Sequence, residues 1–264
     1  MDYDFAYSFK KPQLTGNWLL DFNPLSKLNI LLASSLVPIL AYQWQVSVGF
    51  ILFYFVLAAV AGRFTSFAKM YLKLGLLIGL FLFLIRAVFV QGETSLVKLW
   101  FVNITKEGID QGIGFSTVVL AVFGAIVLSS LIIKAKDLVY SLEKKGAPHS
   151  TSYIVLASLQ SIIDLGQGAK LIMDSQRARG IETEGNIWKR IQAFVPTLGP
   201  LFLSAIAGTE EKAIALDARA FSAPVKNTHL CDLRPVPIWE KVIVVMVDLA
   251  FIGFLVWRIV TWIA

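Results

Sequence analysis

Apolar and charged positions alternate along the chain in long blocks. From Leu28 to Gly62, 35 residues pass without Asp, Glu, Lys or Arg. As one helix that run would reach about 52 Å at ~1.5 Å per residue, well past a hydrocarbon core of ~30 Å. It therefore divides, and Tyr42-Gln43-Trp44-Gln45, polar and aromatic like a membrane interface, marks the break. The pattern predicts spans at about 26–42 and 46–62, a third at about 70–90, and a fourth over the 23 charge-free residues Gln111–Ile133. A last apolar stretch, about 238–263, carries Asp248 and Arg258 and has Trp239, Trp257 and Trp262 near its ends. It reads as a fifth span. Arg86 interrupts the third; an arginine there is either functional or snorkels to the nearby interface.

Charge sets the orientation. Arg63, Lys69 and Lys73 make a short basic loop, and Lys134, Lys136, Lys144 and Lys145 cluster after the fourth span. Basic loops stay inside, so both lie in the cytosol and the mixed segment 91–110 lies outside. The amino terminus is then cytoplasmic and the carboxyl terminus external. At 56% hydrophobic and 16% charged residues the chain falls in the membrane class, and its net charge of +6 follows from the loops rather than from nucleic acid binding. One cysteine and two histidines leave no disulfide framework and no cysteine- or histidine-built metal site. The expected organisation is a cytosolic amino-terminal segment at 1–25, a four-span membrane domain at 26–133, a cytosolic domain at 134–237 and a terminal transmembrane helix at 238–264. The fold class is all-α.

Two helical patterns dominate the cytosolic part. Between Ser150 and Gly180, Val155, Leu159, Ile162, Gly166, Ala169 and Met173 recur at alternating spacings of four and three, one stripe of a helix. The small residues at its middle let another helix cross closely. Ile191, Val195, Leu198, Phe202 and Ala205 repeat the pattern, with Pro196 and Pro200 expected to kink or split that helix. Each pattern ends in an arginine between small residues: Ala178-Arg179-Gly180 and, forty positions on, Ala218-Arg219-Ala220. An arginine in a last turn complements the helix dipole, and Gly180 suits the left-handed residue that closes a helix. Arginine also makes planar, bidentate contacts to carboxylates, so paired tips point to a partner with two equivalent acidic grooves, most simply a dimer.

Those two triplets, placed after a multi-span part and led in by Asn23-Pro24-Leu25-Ser26-Lys27-Leu28, resemble the transmembrane (T) component of energy-coupling factor transporters. The resemblance covers most of the chain. It implies a non-catalytic scaffold in a prokaryotic plasma membrane, working with two ABC-type ATPase subunits and a membrane substrate-binding S component to take up a vitamin or metal ion. It further implies that Ala178, Arg179, Gly180, Ala218, Arg219 and Ala220 contact the ATPases. Val155, Leu159, Ile162, Gly166, Ala169, Leu198 and Phe202 would face the S component. ATP and Mg would sit in the partners, with no cofactor on this chain; membrane lipids are the remaining partner and nucleic acid is none. Ala220 departs from the family's usual glycine. A membrane enzyme would need paired carboxylates or a nucleophile and base, and none is placed so; no Gly-Lys-Ser/Thr nucleotide loop occurs. A self-contained carrier or channel is the alternative, for which Gly75, Gly79 and Gly124 are the only hints of broken spans.

Overall fold

The computed structural model describes residues 15–90, 94–99, 102–180, 186–221, 223 and 234–263. His229 and Cys231 lie outside them, as do Ser222 and Pro224 after the second arginine tip. The fold is all-α with one antiparallel ribbon. In chain order the elements are α1 (Pro24–Ala41), α2 (Trp44–Val60), α3 (Phe64–Phe89), β1 (Ser95–Leu99), β2 (Val102–Thr105), α4 (Lys106–Ile132), α5 (Ala135–Lys144), α6 (His149–Ala178), α7 (Ile187–Ala218) and α8 (Ile238–Ile263). Five of these are long and apolar enough to cross a membrane: α1, α3, α4, α7 and α8. The 17-residue α2 falls just short of that length. The chain separates into two compact units, Met1–Leu142 with Leu230–Ala264, and Glu143–His229.

The first unit holds the spans. Asn23 opens α1 by accepting a hydrogen bond from the Leu25 N–H at 3.0 Å, with Pro24 in the first turn where its missing donor costs nothing. α1 and α2 part at Tyr42, whose left-handed φ of 48° closes α1, so the predicted break is a two-residue corner. The expected loop through Lys69 and Lys73 is instead helical from Phe64. Phe67 and Tyr71 stack at 5.4 Å and both meet Phe55 edge-on, and this packing draws the segment into the helix. One π turn at Tyr71–Gly75 interrupts α3, and there the Tyr71 hydroxyl donates to the Leu120 carbonyl at 3.1 Å.

The core lies among α1 to α4: Leu31, Tyr54, Ala58, Phe67, Ala125 and Leu128. Lipid is as apolar as leucine, so close approach rather than water exclusion holds such helices together, and small residues provide it. A Cβ at Gly75 would stand 3.4 Å from Leu120 Cδ2; at Gly124 it would stand 3.0 Å from Tyr54 Cδ2 and 3.3 Å from Tyr71 Cε2. Gly108 and Gly112 are equally tight, against Val90 O and Phe83. Gly75, Gly112 and Gly124 therefore take up side chains of neighbouring helices, and Gly108 admits the backbone carbonyls of Ala87 and Val90. The hints of a broken, site-forming span are packing notches.

Five charged residues in the spans have local partners. Arg86 lies 4.4 Å over the Phe115 ring. α8 runs parallel to α1 and serves both its ends. Glu240, 1% exposed, accepts from the Asn23 N–H at 3.0 Å, and Arg258 Nε donates to the Leu40 carbonyl at 3.0 Å. An acid at the helix start and a cation at its end both oppose the dipole of α1. Midway, Asn29 Nδ2 donates to Asp248 Oδ2 at 3.3 Å. Lys27, from the lead-in hexapeptide, is 7% exposed and donates Nζ to the Leu20 carbonyl at 2.7 Å and to the Ile132 carbonyl, at the end of α4, at 3.4 Å.

The segment 91–110, expected as an external loop, contains the β1–β2 ribbon, with Lys98 opposite Asn103 and Leu99 opposite Val102. Thr105 ends the ribbon and caps α4: its hydroxyl accepts from the Gly108 N–H at 3.1 Å and donates to the Val90 carbonyl at 3.0 Å.

Candidate functional site: two arginine-tipped helices

α6 and α7 make up most of the second unit. α7 runs unbroken through Pro196 and Pro200. The two prolines are four apart and so share a face, and the carbonyls they deprive of donors belong to Gln192 and Pro196, both exposed. Water or headgroups can satisfy those acceptors, which is why the expected split does not occur. The helices pack on each other at Gly168, where a Cβ would come 3.3 Å from Leu201 Cδ1. Gly166, the small residue singled out in the stripe, meets nothing within 4 Å. The crossing between the two helices thus uses the glycine two positions on, and Gly166 stays open.

The remaining stripe residues are open as well. Val155, Leu159, Ile162 and Phe202 are exposed, the last two at 67% and 66%, while Ala169 and Leu198 are half-buried. Leu171, Trp188, Leu203 and Ile214 are also exposed. The hydroxyls on these helices turn inward to their own backbones: Ser158 to Ile154 O, Ser161 to Ala157 O, Ser175 to Leu171 O and Thr209 to Ala205 O, all between 2.7 and 2.9 Å. The large apolar residues just named thus stand outward beside charged ones such as Lys170 and Lys212. Lys212 Nζ donates across the helix pair to Asp164 Oδ2 at 3.2 Å, and Gln160 Nε2, on the same helix as Asp164, donates to Oδ1 at 2.8 Å. The Gln160 amide first, then Lys212, hold the Asp164 carboxyl below the ordinary aspartate range.

Both tips close in the same geometry. Arg179 has φ −85°, ψ 5°, and is followed by Gly180 at φ +87°; Arg219 has φ −91°, ψ 9°, and is followed by Ala220 at φ +54°. The N–H of the left-handed residue donates back to Arg177 O at 2.9 Å in the first tip and to Asp217 O at 2.9 Å in the second. In the second, the Phe221 N–H also reaches Leu216 O at 3.1 Å, which completes a Schellman turn. Alanine therefore does at 220 what glycine does at 180, although an L-residue in that region is disfavoured. All six residues of the two triplets are exposed. The guanidinium groups of Arg179 and Arg219 bond to no described residue.

The tips are far apart. Phe221, just past Arg219, packs its ring 5.1 Å from that of His149 and 5.0 Å from that of Tyr153, in the first turns of α6. Arg179 ends the same helix, about 39 Å from Tyr153 at ~1.5 Å per residue. The two arginines therefore sit at opposite ends of the α6–α7 pair. His149 Nδ1 and Glu143 Oε1, at the end of α5, share a 2.7 Å hydrogen bond. Reading the sequence missed this group of Glu143, His149, Tyr153 and Phe221, since nothing in the spacing links residues seventy positions apart. The one local sign was an aromatic residue directly after the second tip.

Comparison with known proteins agrees with the helical pattern. The sequence profile of the CbiQ family, described as cobalt transport protein, matches residues 15–230. An energy-coupling factor transporter transmembrane protein EcfT of Listeria innocua is 32% identical over 235 residues, covering 84% of this chain and 87% of its own. The protein of that name from Lactococcus lactis is 28% identical over 253 residues, 89% of this chain and 91% of its own. In Bacillus subtilis the identity is 31% over 165 residues, 59% and 62% of the two chains. A chain of apolar spans with paired arginine-tipped helices, matched over most of its length by such relatives, belongs to the CbiQ family and is a multi-pass transmembrane component of the energy-coupling factor transporter type.

Proposed function

We propose that this chain is the coupling scaffold of an ATP-driven importer, carrying motion from two ABC-type ATPase subunits to a membrane-embedded S component that binds a vitamin or metal ion. The observation that carries this reading is the pair of exposed arginines, closed by the same left-handed turn at opposite ends of one helix pair. Two like tips suit two like grooves, as a dimer of ATPases presents. The guanidinium of each would take a carboxylate at the base of its groove. ATP, Mg and hydrolysis belong to those partners, and this chain binds no cofactor and performs no chemistry.

α7 is apolar enough to cross a membrane. Its 32 residues correspond to about 48 Å, more than a ~30 Å core needs. It packs on α6, which carries Asp164, Lys170, Asp174 and Arg177. These features favour a pair lying at the cytosolic face. Its open stripe, from Val155 to Ala169 with Leu198 and Phe202, then faces the S component and the surrounding lipid. With residues 134–237 in the cytosol, the amino terminus is cytoplasmic and the whole resides in the bacterial plasma membrane.

The test is the double variant Arg179→Ala and Arg219→Ala in the full complex. Each desolvated arginine contact is worth ~2–5 kcal/mol when truncated. The expected result is loss of the ATPases on purification, or ATP hydrolysis without uptake. Normal assembly together with normal uptake would remove the reading, as would solute transport by the chain alone in liposomes.

A further inference from the structure

We propose that Phe221, His149 and Tyr153 form a positioning clamp that ties the Arg219 tip to the root of the coupling unit, leaving the Arg179 tip as the far end of the lever. The proposal rests on the reading of both tips as ATPase contacts. An exposed helix end frays readily, because its last turn has few contacts to lose. At Arg219 that turn is secured: the Phe221 backbone completes the Schellman bond to Leu216 O, and its ring packs on two aromatic rings of α6. His149 in turn is held by Glu143, the next-to-last residue of α5, and α5 follows α4 after only two residues. A load applied at Arg219 therefore reaches the first turns of α6 and the end of α5 through side-chain contacts. Among the described residues, Arg179 is linked to that group along the length of α6, and nothing lies within 4 Å of where a Cβ at Gly180 would stand. The clamp residues thus position Arg219 without touching the partner themselves.

The complete complex in proteoliposomes tests this, with uptake per ATP hydrolysed as the readout. Phe221→Ala is expected to keep both ATPases bound while uptake per ATP falls roughly twofold to thirtyfold, the range of coupling changes for residues remote from both ligands. Phe221→Tyr, which keeps the ring, is expected to restore it. Unchanged coupling in F221A overturns the clamp, and so does a Tyr variant as defective as the Ala variant. If F221A does not assemble, a cross-link decides. F221C and Y153C together, on a C231S background, are expected to couple poorly until a short bifunctional thiol reagent joins them, and then to recover. No recovery at full cross-linking refutes the proposal. Failure of the wild-type chain to co-purify with any nucleotide-binding subunit would instead refute the function on which it rests.

Discussion

In the membrane unit, a Cβ added at Gly79 would stand 2.8 Å from Leu120 Cδ1, and at Gly124 3.0 Å from Tyr54 Cδ2; at Gly166 and Gly199, on α6 and α7, it would meet nothing within 4 Å. These residues of one type do opposite work. At Gly79 and Gly124, glycine is the hollow into which a neighbouring side chain already fits. On the coupling helices Gly166 and Gly199 lie open, in a unit that also exposes Leu159, Ile162 and Phe202. Interiors pack to crystal-like density, so a helix face left this open is shaped for something the chain does not itself supply.

The comparison breaks most readily in the membrane unit. Gly124→Val drives two methyls into Tyr54 and Tyr71, and Tyr54 is fully buried with its hydroxyl on Ser34 Oγ at 3.1 Å. Overpacking of this kind costs about 1–3 kcal/mol or more. A fall of several degrees in the thermal unfolding of the detergent-solubilised protein is expected. If the variant melts with the wild type, the notch is not filled as described.

Gly166→Leu on α6 asks the converse. No loss of stability in the isolated chain is expected, because the new side chain has room and leucine is the better helix former by up to ~1 kcal/mol. If a partner helix crosses there, its affinity falls roughly tenfold, as for one overpacked contact. Binding of the S component to the purified scaffold measures this. A destabilised chain would place Gly166 in an interior after all, and unchanged affinity would move the docking face elsewhere.

How much of this was legible in the sequence differs along the same line. Spans and helix ends depend on local pattern: charge-free runs, Tyr42 to Gln45 at a corner, Arg179-Gly180 at a stop. Helix closure at Ala220 was harder to foresee, since the residue type argues against φ +54°, which the bonds to the Leu216 and Asp217 carbonyls and the seat of Phe221 support. Partners across the fold were not legible at all. Gly75, Gly79 and Gly124 read as possible breaks because a glycine carries no sign of the side chain that fills it. Asp248 and Arg258 in the last span carry no sign of the partners that Asn29 and the end of α1 supply. The ribbon at 95–105 was missed because five- and four-residue strands pair through their backbones, with little trace in hydropathy.

Within the coupling helices, the two tips allow a finer contrast. Ala220→Gly removes the cost of an L-residue in the left-handed region and is expected to stabilise the second helix end by about 0.5–1 kcal/mol; Gly180→Ala imposes that cost on the first and destabilises by about 1 kcal/mol. Hydrogen exchange at the last turn of each helix reads both changes. Equal and opposite shifts are expected where the backbone alone sets the closure. A smaller gain at 220 than the loss at 180 measures how far Phe221 already secures that end.

The smallest effect belongs to Asp164 and Lys212, the exposed cross-helix pair. Hydrogen bonds from Gln160 and Lys212 lower the Asp164 pKa in the folded state, so the carboxylate form is the one that stabilises. That contribution is fully present above the unfolded aspartate value of about 3.9 and disappears as pH falls through the lower folded value. Between pH 5 and 8 the pair is expected to add nothing to the pH dependence of the α6–α7 unit. A slight loss of stability should appear below about pH 4, absent in Lys212→Met with Gln160→Leu and reduced by salt, since solvent screens exposed charges. Protease protection of the two helices, compared at pH 6 and pH 3 in both proteins, makes the measurement. Parallel acid sensitivity in wild type and variant would mean that the helices are held across their crossing by Gly168 and Leu201 alone, with Asp164 and Lys212 as solvated bystanders.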